Sequence, residues 1–186
     1  MKQFYFFKEL TTGYDTCQLL EVNPEVFACA IYRSKEIRVY KNEGKEFPLL
    51  GTIDNVESHG ANSNGMCKIN NNVFCSGDRN GVIYIASVYP LQIIQKIIFD
   101  KVAFIRFLHN SNDGFIFTSI DNKIFQYKII KDEDGNFIKL EKYYTYEDAY
   151  DNSAIITTDD GKIIYCQKSE DLNTKFFLTE YFKEKN

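Results

Sequence analysis

Short apolar runs alternate along the chain with turn-forming residues. The runs are rich in Ile, Val, Phe, Tyr and Thr, side chains that suit a pleated and partly buried surface. No long segment places apolar residues at helical spacing between a capping residue and a terminal glycine. The pattern therefore predicts an all-β protein.

Asparagine or aspartate precedes glycine at many of the expected turns. Five of the ten glycines lie in such dipeptides, at positions 64–65, 80–81, 113–114, 134–135 and 160–161. These dipeptides tolerate the positive φ that tight hairpins demand. We therefore expect hairpins at these places.

Four segments share one plan: a short apolar strand, a polar turn and an alternating strand. They start at Phe27, Val73, Phe115 and Ala154, and read FACAIYRSKEIRVYK, VFCSGDRNGVIYIAS, FIFTSIDNKIFQYKI and AIITTDDGKIIYCQK. The first inward apolar residues of the alternating strands are the anchor isoleucines Ile37, Ile83, Ile124 and Ile163, at separations of 46, 41 and 39 residues. This recurrence predicts one structural unit that is repeated four times.

The repeats resemble those of the WD-repeat family of β-propellers. The likeness is clearest in SGDRNGVIYIA, from Ser76 to Ala86, and extends more weakly over residues 3–182. The signature is degenerate, because the chain contains no tryptophan and no Gly-His dipeptide. The resemblance implies one propeller-like domain over residues 1–186, with about four small antiparallel sheets or blades. The units would span residues 11–53, 60–99, 101–144 and 145–182.

The two ends of such an array need cover, since bare sheet faces and edges invite aggregation. One solution is a small closed ring, in which residues 1–10 supply a closing strand at Gln3 to Phe7 beside the hairpin of Ile163 to Cys166 and Lys175 to Tyr181. Another is an incomplete ring that a second copy or a different protein completes. A third is that the sequence is a fragment or reduced form of a longer propeller. The first two are favoured equally.

The charge is small and uneven along the chain. The formal net charge is −4, and residues 131–186 carry 8 basic and 13 acidic side chains. A nucleic-acid-binding protein normally shows a clustered basic stripe. The nearest candidate, residues 33–45, interleaves its basic residues with Glu36 and Glu43. Other proteins are therefore the expected partners, and nucleic acid is disfavoured.

Cysteine and histidine lack the spacing of a metal or catalytic site. The five cysteines and two histidines contain no CxxC or HxxxH pattern. Cys29 and Cys75 each lie eight residues before an anchor isoleucine, and this shared repeat position predicts small buried residues. We expect structural roles for His59 and His109. The sequence therefore predicts no metal, no cofactor and no catalytic residue.

No segment reads as a membrane span or an export signal. The longest apolar run, Val26 to Tyr32, has seven residues, whereas a helical span needs about 20. The apolar block from Phe4 to Phe7 is shorter than the core of a signal peptide. We therefore expect no membrane partner and a cytoplasmic or nuclear location.

One segment, EKYYTYEDAYD from Glu141 to Asp151, has the composition of an interaction surface. Tyrosines among acids supply rigid amphipathic area of the kind that favours interfaces, although an ordinary strand and loop would explain the segment too. We expect it to dock a basic segment of a partner. The candidate partner-binding residues are Tyr143, Tyr144, Tyr146, Glu147, Asp148, Tyr150 and Asp151.

The expected function is a non-catalytic scaffold or adaptor subunit of a larger protein complex, because propellers offer broad faces and converging loops. Fold does not dictate function, so this step is an analogy. Two alternatives stay open. One is an enzyme, or the regulatory subunit of an enzyme, with a site at the channel mouth. The other is a ribonucleoprotein component.

Overall fold

A computed structural model describes residues 16–31, 35–44, 46–54, 65–100, 105, 108–111, 113–121, 123–147, 155–168 and 174–180. These residues form fifteen strands in four antiparallel sheets, without a helix. The described chain accordingly contains no helix that is long and apolar enough to cross a membrane. The all-β prediction is confirmed.

Each sheet is a meander in which consecutive strands are neighbours. Sheet 1 contains β1 (Thr16–Asn23), β2 (Val26–Ile31), β3 (Glu36–Lys41) and β4 (Leu49–Asp54). Sheet 2 contains β5 (Met66–Lys68), β6 (Val73–Gly77), β7 (Val82–Val88) and β8 (Leu91–Ile98). Sheet 3 contains β9 (Leu108–Asn110), β10 (Phe115–Ile120), β11 (Lys123–Lys131) and β12 (Phe137–Tyr146). Sheet 4 contains β13 (Ile155–Thr157), β14 (Lys162–Lys168) and β15 (Thr174–Glu180) within the described residues.

The four repeated segments form one hairpin in each of these sheets. They form the pairs β2–β3, β6–β7, β10–β11 and β13–β14, and all four anchor isoleucines are fully buried. The turns of sheets 2 and 4 match in detail: the N–H of Asp78 donates to Val82, and that of Thr158 to Lys162. Gly81 and Gly161 close these turns with φ of 78° and 85°, values that a residue without a side chain adopts readily. The Asn-Gly and Asp-Gly signals therefore predicted both turns correctly.

Neighbouring sheets bury one another's faces. Ala28, Val39 and other residues of sheet 1 form one core cluster with Phe74 and Tyr84 of sheet 2. A second cluster joins sheets 2 and 3, and a third joins sheets 3 and 4. The first strands lie side by side, since β5 contacts both β1 and β9. The sheets thus stack as propeller blades, in an arc that the described residues do not close into a ring.

The repeat extends to an irregularity in the outer strands. Opposite their anchor isoleucines, sheets 1 to 3 place Ile53, Ile97 and Tyr146. Three residues earlier, each outer strand carries one extra unpaired residue, a β-bulge at Leu50, Ile94 and Tyr143. The β14–β15 pair runs without such a shift. Since a bulge increases strand bend and twist, sheets 1 to 3 share an outer-edge shape that sheet 4 lacks.

Sheet 4 also packs with the opposite face. Ile37 and Ile83 point toward the next sheet along the chain, as their core clusters show, and so does Ile124. Ile163 instead belongs to the cluster with sheet 3, which precedes it. Ile156, on the other face of sheet 4, is 55% exposed. The four hairpins are therefore equivalent in pairing but not in orientation.

The face of sheet 1 away from sheet 2 is apolar and partly buried. Cys29, Ile31 and Tyr40 lie on this face and form a buried cluster with Phe27 packed against it. The Phe27 and Tyr40 rings are stacked with centroids 5.3 Å apart. Leu19, which pairs with Cys29, is 62% exposed. Exposed apolar side chains therefore remain at both ends of the array, at Leu19 on sheet 1 and at Ile156 on sheet 4.

The short apolar runs at residues 66–69 and 102–108 also predict inner strands. The first is β5, and the second reaches the start of β9 at Leu108, while residues 102–104 and 106–107 lie outside the described residues. Ile105 lies outside any strand, is fully buried, and its N–H donates to the carbonyl of Asp78 at 3.0 Å. The proposed closing strand at residues 1–10 lies outside the described residues. That closing strand and the unit boundaries stay predictions.

A side-chain amide links the inner strands of sheets 1 and 2. Gln18 of β1 donates from Nε2 to the carbonyl of Met66 at 3.0 Å, and its Oε1 accepts from the Met66 N–H at 2.7 Å. Met66 lies in β5, the first strand of its sheet, so these backbone groups face away from β6. The amide thus satisfies both groups where no strand continues the ladder.

Candidate protein-binding surface

The tyrosines of the predicted docking segment lie at the end of β12, the outer strand of sheet 3. Gln126 pairs with Tyr144 and Tyr127 pairs with Lys142, so the bulge at Tyr143 interrupts the simple alternation of sides. Tyr143 packs against the core cluster between sheets 3 and 4, with its ring centroid 5.3 Å from that of Phe115. Tyr143 is therefore partly used to hold the sheets together.

Tyr146 has a structural role as well. Its hydroxyl donates to Oε1 of Gln126 at 2.8 Å, and Gln126 is fully buried. A buried amide needs partners because its desolvation is costly. Tyr146 also contacts the ring of Tyr144 edge-on, with centroids 4.9 Å apart. Tyr146 thus supports Tyr144, which is 39% exposed and is the tyrosine of this strand most available to a partner.

Glu147 follows β12 directly and is held by a surface ion pair. Its Oε2 lies 2.6 Å from Nζ of Lys123, the first residue of β11, and both side chains are exposed. Such a pair contributes little stability, typically about 0.2–1 kcal/mol, so a charged partner can compete for it. Asp148, Tyr150 and Asp151 lie outside the described residues.

An open groove between sheets 2 and 3 adjoins this strand end. Its volume is about 590 Å³, and the residues that line it include Ile98, Phe99, Lys123 and Phe125. Ile98 is 71% exposed. Because Lys123 both lines the groove and pairs with Glu147, Glu147 extends the rim of the groove. Tyr144 lies on the other face of β12, since it pairs with Gln126 on the side toward sheet 4. The groove, Glu147 and the outer edge of β12 with Tyr144 are together called the groove-edge surface.

The charges of the groove are mixed. Lys96, Lys123 and Lys142 stand with Asp100 and Asp121 among the lining residues. Two of the lysines lie over aromatic rings: Lys142 Nζ is 5.1 Å from the Phe125 centroid, and Lys96 Nζ is 5.3 Å from that of Tyr84. Such contacts attract ammonium groups to ring faces. The lysines therefore add packing to the walls as well as charge.

Tyr127 closes the groove with a neutral hydroxyl. Burial raises the pKa of Tyr127 far above its ordinary value, because a phenolate would lose its hydration there. The groove thus offers an uncharged polar group beside the apolar side chains of Phe125 and Leu140. It is a surface for binding and has no titrating nucleophile at this position.

The predicted equivalence of Cys29 and Cys75 is wrong in one respect. Both are fully buried, as expected. Cys29, however, pairs with Arg38, one residue after its anchor, whereas Cys75 pairs with Ile85, two residues after its anchor. The two thiols therefore occupy opposite faces of their sheets, because a register difference of one residue turns a side chain to the other side.

His109 joins sheets 3 and 4. Its Nε2 accepts from the N–H of Thr157 at 3.2 Å and lies 3.0 Å from the Thr157 hydroxyl. Burial lowers the pKa of His109, which favours the neutral ring that can accept these bonds. His59 lies outside the described residues. In the part of the chain that the structure describes, no three His, Cys, Asp or Glu side chains group as metal ligands.

Sequence reasoning missed the groove and the residues that build it. Gln126 could be recognised only weakly from the sequence. It stands between Phe125 and Tyr127 in an alternating strand, so it falls on the same face as the anchor Ile124, which is expected to be buried. Lys123 could not be recognised, because its partner Glu147 is 24 positions away in sequence (147 minus 123). Asp78, also missed, is fully buried and organises a turn: its Oδ1 accepts from the N–H groups of Asn80 and Val82 at 2.9 and 2.8 Å.

Comparison with known proteins defines the fold. No protein-family model matches the sequence, and no curated protein matches it. The WD40 β-propeller domain of Doa1 superposes with a TM-score of 0.63 at 12% identity, covering 89% of this chain and 51% of that one. The β-propeller domain of Myceliophteria thermophila Cps50 (Swd1) gives a TM-score of 0.68 at 12% identity, covering 87% and 55%.

A protein from Lactobacillus plantarum is similar to the same degree, with a TM-score of 0.63 at 10% identity over 92% of this chain and 57% of that one. The chain thus spans a little over half the length of these structures. At such low identity the similarity shows architecture alone. The protein is an all-β molecule with the WD40-type β-propeller fold, in a partial form of four sheets, and the predicted resemblance is confirmed.

Proposed function

We propose that this protein is a non-catalytic protein-interaction scaffold, an adaptor subunit that holds a partner within a larger complex. The observation that carries the proposal is the groove-edge surface, where exposed Tyr144 and Ile98 stand on rigid strands of adjacent sheets. Exposed aromatic and apolar side chains beside charged ones are typical of interfaces. The Tyr146 ring supports Tyr144, and the hydrogen bonds between strands hold the backbone of both residues. The surface is therefore ordered before a partner binds, which lowers the entropic cost of binding.

The proposed partner presents a basic segment with apolar residues. Glu147 is exposed and its present cation, Lys123, is held by a weak surface pair. Residues 131–186 carry five more acidic than basic side chains, 13 against 8. A partner's lysine or arginine would replace Lys123 at Glu147, while its apolar side chains would pack in the groove and, across the outer edge of β12, on Tyr144. Asp148, Tyr150 and Asp151 belong to the proposed contact, and Tyr143 and Tyr146 position it.

A charge-reversal experiment tests the partner chemistry. The probe is an immobilised peptide of alternating arginine and leucine, and binding is measured as NaCl is raised. E147K/D148K should weaken binding, whereas the matched control E133K/D134K, in the exposed turn at the other end of β12, should not. Tyr144→Ala should also weaken binding. Equal binding by all four proteins would reject the basic-segment contact.

The adaptor role itself needs a separate measurement. Tagged wild-type and Y144A proteins, purified from the native cell with quantified co-purifying proteins, should differ in specific partners that the wild type enriches. If the same proteins are recovered with both, the groove-edge surface is not the docking site. If neither enriches any protein, the scaffold proposal fails.

How the ring is completed stays open between a closing strand at residues 1–10, a second copy, and another protein. Light scattering after size-exclusion chromatography separates these. A stable monomer would remove self-completion. A dimer that Ile156→Lys dissociates would favour pairing through sheet 4, because Ile156 lies on its exposed face.

A further inference from the structure

Two buried thiols face each other across the β5–β6 hairpin of sheet 2. Cys67 of β5 pairs directly with Cys75 of β6, and their Sγ atoms are 3.2 Å apart. Both thiols are free. The Cys75 thiol is also placed to donate to the carbonyl oxygen of Cys67 at 3.6 Å.

The backbone geometry suits a covalent link. The N–H of Ile69 donates to Val73 at 2.9 Å, and hydrogen-bonded pairs alternate along an antiparallel ladder, so Cys67 and Cys75 form such a pair. Their Cα atoms are then about 5.5 Å apart, within the range of about 4.4–6.8 Å found in disulfides. The Sγ atoms need to approach by about 1.2 Å to reach bonding distance, which side-chain rotation supplies.

We propose that Cys67 and Cys75 are a modification site at which hydrogen peroxide oxidises the pair to a cross-strand disulfide. Cys67 is 9% exposed and Cys75 is fully buried, so a small oxidant reaches Cys67 first. The two residues therefore divide the work: Cys67 reacts with the oxidant and Cys75 resolves the product.

The chemistry proceeds in two balanced steps. The Cys67 thiolate attacks one peroxide oxygen, the O–O bond breaks, and the released hydroxide takes up the thiol proton as water, which leaves a sulfenic acid on Cys67. The Cys75 sulfur then attacks the Cys67 sulfur. The S–S bond forms, the S–O bond breaks, and hydroxide leaves with the proton of Cys75 as a second water. Two thiols lose two electrons in total, and one peroxide is reduced.

The surroundings set the speed of this reaction. The hydrogen bond with Cys75, together with burial, raises the pKa of Cys67. Because the thiolate is the reacting form, oxidation should be slow at neutral pH and should accelerate about tenfold per pH unit while the pH stays below that pKa. The site is therefore a slow responder to sustained oxidant rather than a fast peroxide sensor.

Peptide mapping tests the site in the folded wild-type protein. Trypsin cuts after Lys45, Lys68 and Arg79, so Cys67 and Cys75 fall in separate peptides, 46–68 and 69–79, each with a single cysteine. After peroxide treatment, these two peptides should be joined, the intact mass should fall by about 2 Da, and dithiothreitol should restore all five thiols. The yield at a fixed time should be higher at pH 9 than at pH 7.

The controls separate this pair from the other thiols. Cys29→Ser should form the same joined peptides, because Cys29 lies in the cluster on the far face of sheet 1. Cys67→Ser and Cys75→Ser should not form them. Far-UV circular dichroism verifies that the oxidised wild type keeps its sheets. The proposal is overturned if peptides 46–68 and 69–79 join only after unfolding, or if other cysteines oxidise while this pair stays reduced.

Discussion

The side-chain amide of Gln95 binds both backbone groups of Leu140. Its Nε2 donates to the Leu140 carbonyl at 2.9 Å, and its Oε1 accepts from the Leu140 N–H at 2.8 Å. Gln95 lies in β8 of sheet 2, and Leu140 lies in β12, the edge strand of sheet 3. The arrangement repeats that of Gln18 and Met66 on the inner side. One amide thus caps an edge that would otherwise present unpaired groups to other chains.

Replacing Gln95 with alanine should destabilise the protein. Both backbone groups of Leu140 would lose this partner, and leaving such groups unsatisfied costs about 1–3 kcal/mol. Urea denaturation followed by circular dichroism measures the change. Gln92→Ala, in the same strand but at an exposed position, should change stability by less than about 0.5 kcal/mol. Similar losses in both variants would contradict a specific role for the Gln95 amide.

Removing the hydroxyl of Tyr146 should weaken the core between sheets 3 and 4. Tyr146→Phe keeps the ring but deprives buried Gln126 of a hydrogen bond, at a cost of about 1–2 kcal/mol. The matched control is Tyr89→Phe, since Tyr89 is exposed. Equal unfolding midpoints for Y146F and wild type would show that the hydroxyl contributes nothing to Gln126.

The link between sheets 3 and 4 should weaken in acid. Burial lowers the folded-state pKa of His109 below its ordinary value of 6.5, so the unfolded chain binds its proton more readily. The stabilising contribution of neutral His109 is therefore complete above pH 6.5 and is lost as the pH falls through the folded-state pKa. Protonation would also place a hydrogen on Nε2, which now accepts from Thr157.

Unfolding free energies measured from pH 8 to pH 5 check this expectation. His109→Gln should flatten the acid-side slope, whereas His59→Gln should leave the His109 contribution in place. If wild type and H109Q lose stability in parallel over this range, other groups control the acid response.

Neutralising Lys123 should strengthen the proposed partner contact. Lys123→Gln frees Glu147 from its ion pair, so the arginine–leucine peptide would bind more tightly, while stability should change by less than about 1 kcal/mol. The control is Lys41→Gln, which removes a comparable exposed pair with Glu43 in sheet 1. Weaker binding by K123Q would show that Lys123 itself contacts the partner.

Much of the fold can be predicted from short stretches of sequence. Turn dipeptides such as Asn80-Gly81 and alternation around Ile83 act over a few residues, so the hairpins and their buried anchors were predicted correctly. The sheet that Ile163 packs against was not predicted, because packing between segments that are distant in sequence decides which face of a sheet is covered. Cys29 illustrates the same limit, since one residue of difference in hairpin register reverses its side.

The candidate surface was only partly foreseeable. Composition singled out the segment from Glu141 to Asp151, and its described part does carry exposed Tyr144 and Glu147. Two of its tyrosines are engaged in packing, through the bulge at Tyr143 and the buried amide of Gln126. Composition predicts neither feature. The groove lies between two sheets, so the sequence of a single segment does not predict it.

Both outer faces of the array keep apolar area on which a further sheet could pack. Leu19 and Leu49 pair with Cys29 and Tyr40 on the face of sheet 1 away from sheet 2, and they are 62% and 53% exposed. Ile156 is exposed on sheet 4 to a similar extent. A molecule that supplied additional blades would therefore bury hydrophobic surface at either end of the array.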